Sequence, residues 1–273
     1  MLTTLIEALS FSFFQRALLV GSLIAVIYSL LGNYVVLRKE TVISHSIANF
    51  AFLGVALAIL LNANINLFTF LAAIGGALSI SILQNNPKFA RDSILTFSSE
   101  ISIAIAIVII SFFKGYRTDI LQFLFGNILA ISSTDILFIS IVSLLIIGFL
   151  LLFHRQLLQI TFSTELAKAS GTKVTLFNLL YLLILALAIA IGVKTIGVIL
   201  IAALLVIPAN TAKLFASSFK QLLTYSAIFG LMSTILGLLT SYFFDLPSGA
   251  TIVITLSVFL LGTIVLYKRP ASI

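Results

Sequence analysis

An all-α bundle of membrane-spanning helices is the fold class this sequence predicts, and three observations predict it. Of 273 residues, 61% are apolar and 8% are charged, where soluble domains carry about 25% charged residues. Fifteen Lys and Arg with eight Asp and Glu cannot cover the surface of a water-soluble globule of this size, which excludes a soluble enzyme. The apolar residues also fall in runs of roughly 20, each long enough to cross a bilayer, so about eight or nine crossings fit the length. With no cysteine, disulfides, thiolate metal sites and cysteine catalysis are excluded together.

The first fifteen residues hold Glu7 and no basic residue, which argues against a cleavable signal peptide. They read as a short outer segment leading into the first span. Apolar run length places spans near 16–37, 41–61, 65–84, 93–113, 134–153, 174–193, 196–215, 222–243 and 250–267. The run from Val174 to Pro208 is too long for one crossing: as one helix it would reach roughly 50 Å against a core of about 30 Å. Lys194-Thr195 is its only polar break, so a very tight turn is expected there. Residues 119–133, apolar but too short to form a further span, read as a re-entrant or interfacial outer helix.

Sorting the loops gives direction. Arg38, Lys39, Lys88, Arg91, Arg155, Lys168, Lys173, Lys213, Lys220, Lys268 and Arg269 gather on one side, against Arg16, Lys114, Arg117 and Lys194 on the other. By the positive-inside rule the first side is cytoplasmic, with the N-terminus outside and the C-terminus inside. That bias accounts for the net charge of +7 without any nucleic acid. The longest cytoplasmic loop, 154–173, places Phe162, Leu166 and Ala169 at helical spacing with Glu165 and Lys168 opposite. Ser163 or Thr164 suits a helix start and Gly171 a helix end. Docking to a soluble partner and lying flat on lipid headgroups are equally compatible with such a helix.

Polar groups within spans are costly and are therefore the candidate functional residues. His45 and Asn49, at i and i+4, share one face of the second span, with Ser44 and Ser46 beside the histidine. Imidazole and an amide oxygen suit a divalent transition metal; helix–helix hydrogen bonding is the plainer role. Two copies in a homodimer would bring two such pairs together. Glu100 in the fourth span is a possible proton or cation contact, or a structural partner of a nearby Ser or Lys. Pro208 in the seventh span removes a backbone donor and is a candidate hinge, with Asn210 and Thr211 able to re-satisfy freed groups. Ser226, Gly230 and Thr234, and likewise Ser233 and Gly237, have the spacing of close helix packing. The outer carboxylates Asp119 and Asp135 read as solvated, Asp245 marks a turn, and His154 has no assigned role. There is no P-loop, HExxH, GxSxG or Rossmann fingerprint, so any energy must come from a partner chain or an ion gradient.

Five stretches in order, QRALLVGSLIAVIYSLLGNYVVLRK, LQFLFGNILAISSTDI, TFSTELAKASGTKV, VKTIGVILIAALLVIPANTAKLFASSF and GLLTSYFFDLPSGATIVI, resemble the membrane permeases of ABC importers for zinc, manganese and iron. The resemblance spans nearly the whole chain as one permease domain. It implies a homodimer, an ABC ATPase partner that binds ATP, an extracytoplasmic metal-binding receptor, location in the cytoplasmic membrane, and no catalysis or bound cofactor on this chain. It also makes the segment like Phe162–Gly171 the helix that couples to the ATPase. One departure stands out. The family's second span carries Gly-Asp-x-x-x-His, whereas here Ser44-His45 stands for Gly-Asp, Asn49 for His and Leu53 for a proline. In the fourth span Asp92 matches the family but Thr96 replaces a glycine. With one imidazole kept and a carboxylate lost from that stretch, zinc is favoured over manganese, which prefers oxygen ligands. An ion-gradient transporter using Glu100 and an ABC permease for a metal chelate are the alternatives.

Overall fold

The computed structural model describes residues 10–83, 91–112, 126, 128 and 131–266, with the backbone alone described for Arg91, Asp92, Ser133 and Thr134. Eleven helices make up the described part: α1 Ser12–Leu37, α2 Thr41–Leu60, α3 Ile65–Leu83, α4 Arg91–Ser111, α5 Ser133–Leu152, α6 His154–Phe162, α7 Thr164–Ala169, α8 Val174–Thr195, α9 Val198–Lys213, α10 Phe219–Phe244 and α11 Ser248–Leu266. Eight are long and apolar enough to cross a membrane, while α9 has 16 residues. The polytopic all-α reading holds. The first span starts four residues earlier than run length suggested, because Ser12, Phe13 and Phe14 already extend the helix.

Helix ends fall where local chemistry stops the ladder. α1 ends at Arg38 and Lys39, the latter with φ 57°, so the chain reverses into α2 within three residues. Asn62, also at positive φ, ends α2, and the Asn64 side-chain oxygen accepts the Leu67 N–H at the start of α3. A capping box between Ser132 and Asp135 opens α5. Ser218 caps α10 and Asp245, left-handed at φ 51°, closes it. The tight turn expected at Lys194-Thr195 lies two residues on, at Ile196-Gly197: Gly197 at φ 81° supplies a conformation that a side chain would resist.

Helix α1 runs through the middle of the bundle against α9 and α10, and α2 packs between α3 and α4. The closest approach needs a missing side chain: a Cβ on Gly32 would collide with the backbone carbonyl of Leu205 in α9. Tyr28 in α1 is buried and donates to the Ala188 carbonyl of α8 at 2.7 Å. The two small-residue stripes of α10 serve different neighbours. Gly230 meets Ser29 and Ala25 of α1 and Thr234 meets Gly21, whereas Gly237 lies on Ile252 of α11. Asn33 donates to Ser226 at 2.6 Å across the same α1–α10 contact.

The short helix α9 nonetheless runs between the two ends of the bundle. Thr195, just before it, lines a small recess with Asn66, Asp135 and Lys194 at one end. Lys213, its last residue, lines a cavity of about 170 Å³ with Leu37, Phe162 and Phe219 at the other. Most of the expected outer helix over 119–133 lies outside the described residues; Gly126 packs on the Ile196 backbone and Ile128 is buried beside Gly21.

Candidate functional site

The second turn of α2 carries the expected polar pair. His45 is exposed and Asn49 is buried, and the Asn49 amide lies 3.4 Å from His45 Nε2 while donating to Ser99 Oγ of α4 at 2.7 Å. Ser99, which sequence spacing did not single out, is therefore the group that fixes the amide. The other Asn49 atom, Oδ1, is buried with no hydrogen-bond partner among the described residues. Unsatisfied buried amide oxygens are uncommon in native structures. The flanking serines are committed to backbone: Ser44 donates to Thr41 O at 2.8 Å, and Ser46 to Val42 O and to Leu95 O of α4. Of the two, Ser46 ties α2 to α4, while Ser44 bonds within its own helix.

Glu100 follows Ser99 and lies on the opposite side of α4 from the packed face. Thr96, Phe97, Glu100, Ile101, Ala104 and Ile105 form one exposed stripe along this helix, with the carboxylate near its middle. Helix α4 thus brings Ser99 to Asn49 and leaves Glu100 on the outside of the bundle. Among the described residues no group of three or more His, Cys, Asp or Glu converges as a metal site.

Pro208 is buried inside α9, and the helix continues through it. Its ring removes the donor that would reach the Leu204 carbonyl. Asn210 and Thr211 do not replace that donor. They give their hydrogens to Val206 O at 3.0 Å and Ile207 O at 2.9 Å.

The helix expected to start at Ser163 or Thr164 is present as α7: Ser163, with extended geometry, accepts the Leu166 N–H at 3.2 Å. What the periodicity did not give is a separate helix before it, α6, which ends at Phe162 and so takes that residue off the helix of Leu166 and Ala169. Phe162 and Leu166 consequently sit on different helices, 71% and 69% exposed, and Glu165 and Ala169 are exposed as well. The residue that packs inward is Ala167, against Ile160 and Val174. Gly171 ends α7 as expected, at φ 79°, with Gly171 N and Thr172 N donating to Lys168 O and Ala167 O.

Polar contacts invisible to sequence spacing join distant segments. Arg38 at the end of α1 donates from Nε to Thr161 Oγ1 at 3.0 Å and from Nη1 to Asn178 Oδ1 at 3.2 Å, with its guanidinium 4.5 Å from the Tyr181 ring centroid. Tyr34 Oη lies 3.3 Å from His154 Nδ1, which gives the histidine a partner. At the other end Lys194 pairs with Asp135 at 2.8 Å, so that carboxylate is not simply solvated.

An arrangement with polar pairs inside spans and a sharply broken surface segment fits a transport chain, and the match to known proteins agrees. The family model described as the ABC 3 transport family matches residues 10–267. The chain belongs to the ABC 3 transport family. The resemblance carried by the five stretches thus led to the right family. Among relatives, the manganese transport system membrane protein MntC of Halalkalibacterium halodurans is 31% identical over 251 residues, 92% of this chain and 86% of that one. The high-affinity zinc uptake system membrane protein ZnuB of Haemophilus influenzae is 32% identical over 253 residues, 93% of this chain and 96% of that one. Among solved structures, PsaBC from Streptococcus pneumoniae in complex with Fab superposes with a TM-score of 0.88 at 30% identity, covering 99% of this chain and 97% of that one. As an ABC 3 transport protein the chain is a multi-pass membrane component.

Proposed function

We propose that this chain is the permease of an ATP-driven importer that moves a divalent transition-metal ion, zinc in preference to manganese or iron, across the cytoplasmic membrane. Relatives are named for both zinc and manganese. The preference for zinc rests on His45, an imidazole exposed within a membrane helix, because imidazole suits zinc better than it suits manganese. The observation that carries the transport reading is this exposed histidine held by the buried Asn49–Ser99 pair in a chain of the ABC 3 transport family.

Two copies enclose the path. A carboxylate facing lipid costs several kcal/mol, and Glu100 sits on the outer face of α4, so that face meets water in a path or a second copy. The end bearing α6 and α7 is cytoplasmic by the distribution of Lys and Arg, which leaves the N-terminus outside and the C-terminus inside. Phe162, Glu165, Leu166, Ala169 and Gly171 form the docking segment for an ABC ATPase, which binds and hydrolyses ATP. A metal-binding receptor delivers the ion at the outer face. Pro208, in the helix pressed on Gly32, is the hinge candidate.

The test is gentle extraction of the tagged chain from its native membrane, with mass spectrometry of what remains bound. A P-loop ATPase in stoichiometric amount, lost when Glu165 and Leu166 are both replaced by Ala, is the expected result. A preparation without ATPase at every detergent strength points to a gradient-driven transporter with Glu100 as proton site.

A further inference from the structure

The last turn of α1 holds α6 at both of its ends. Tyr34 reaches His154, the first residue of α6, and Arg38, one turn later on α1, reaches Thr161, the last but one. The same guanidinium binds Asn178 of α8 and lies over Tyr181, so one side chain ties α1, α6 and α8 together. The segment is also directly joined to α2. Arg38 caps α1, Lys39 takes the single left-handed step, and the Glu40 carbonyl accepts the Ser44 N–H in the first turn of α2. His45 is the next residue. A three-residue turn with one fixed left-handed position has little slack, so displacement of α6 reaches the base of α2 without being absorbed by a flexible linker.

Packing alone is a poor reason for an arginine here. Its Nη2 is buried without a hydrogen-bond partner among the described residues. A half-buried cation with one buried, unsatisfied donor contributes less to stability than its other contacts alone would. The charge is also useful for motion: a guanidinium fork can release one acceptor while keeping another.

We propose that Arg38 is the positioning residue that transmits movement of the α6–α7 docking segment to α2 and its His45–Asn49 pair; this rests on the docking role of α7 given above. Arg38 touches no transported ion. It links the step performed by the ATPase to the helix that borders the path.

The experiment uses the whole transporter, this chain with its ATPase, reconstituted in lipid vesicles and supplied with Zn²⁺ or Mn²⁺. Three quantities are read together: ATPase retained per permease, ATP hydrolysis, and ion uptake. For Arg38→Gln, ATPase retention stays at the wild-type level and hydrolysis within about twofold. Uptake of whichever ion the wild type carries falls about tenfold, the loss expected from one charge-assisted hydrogen bond. Arg38→Lys, which keeps the charge but not the planar fork that reaches both acceptors, recovers part of the uptake. Unchanged uptake in Arg38→Gln overturns the proposal, and so does a proportional fall of uptake and hydrolysis at full retention. Should Arg38→Gln fail to fold, Thr161→Val and Asn178→Leu each remove one acceptor. A normal ratio of uptake to hydrolysis in both then overturns it. A wild-type chain that retains no ATPase defeats the docking reading instead, and the two failures are distinct.

Discussion

Within α2, the pair at His45 and Asn49 was legible in the sequence because a helix puts i and i+4 side by side and because polar groups are rare in spans. Its support was not legible. Ser99 stands 50 residues further on, and only the packing of α4 on α2 brings its hydroxyl to the Asn49 amide. Partners that orient a ligand are commonly worth 10- to 100-fold in affinity or activity. His45→Ala at normal expression is therefore expected to lower zinc uptake by cells by about tenfold or more, and unchanged uptake would remove His45 from the path. Gly32 gives a prediction about stability. Ala there would press its Cβ on the Leu205 carbonyl, whereas Gly148 has nothing within 4 Å of such a carbon. In thermal melting in detergent, Gly32→Ala is expected to cost about 1–3 kcal/mol or more, and Gly148→Ala to leave the midpoint unchanged or slightly raised. Equal midpoints would contradict the close α1–α9 approach. From sequence, Arg38 enters only the sorting of basic residues and Asn33 has no role. The rule that flags polar groups inside spans, applied to α1, would have drawn attention to Asn33, but nothing in spacing connects Arg38 to Thr161, 123 residues away.

Whole helices were far more readable than their partners. All nine expected spans correspond to α1–α5 and α8–α11 within a few residues, because apolar run length and turn residues act locally. Segment 154–173 was legible in part. The cap at Ser163 and the end at Gly171 follow from local chemistry, but the helical spacing of Phe162, Leu166 and Ala169 did not show that the same cap leaves Phe162 on the preceding helix. That cap sets a measurable expectation. Ser163→Ala should weaken α7 by about 1 kcal/mol, seen as faster amide hydrogen exchange confined to 164–169 with the spans unaffected. Exchange that stays at the wild-type rate would mean that the packing of Ala167 on Ile160 and Val174 alone maintains the helix.

For the whole molecule, the homodimer proposed above raises the question of which face would meet the second copy. The chain contains no cysteine, so a single introduced one is unique. Phe97→Cys, on the exposed stripe of α4 that holds Glu100, is expected to give a disulfide-linked dimer in native membranes under mild oxidation. Leu144→Cys, on an exposed face of α5 that is apolar throughout its neighbours Ile141 and Leu145, is expected to stay monomeric. The reverse pattern would move the path away from α2 and α4. The brevity of α9 carries a consequence for the surrounding lipid. Sixteen residues rise about 24 Å, several ångströms less than the hydrocarbon slab that its neighbours span. At Ile199, the exposed apolar side chain of α9, acyl chains that meet the helix must compress to match, at a fraction of a kcal/mol per ångström. The transporter thus has a thin flank, and its working rate should depend on the chain length of the phospholipids around it.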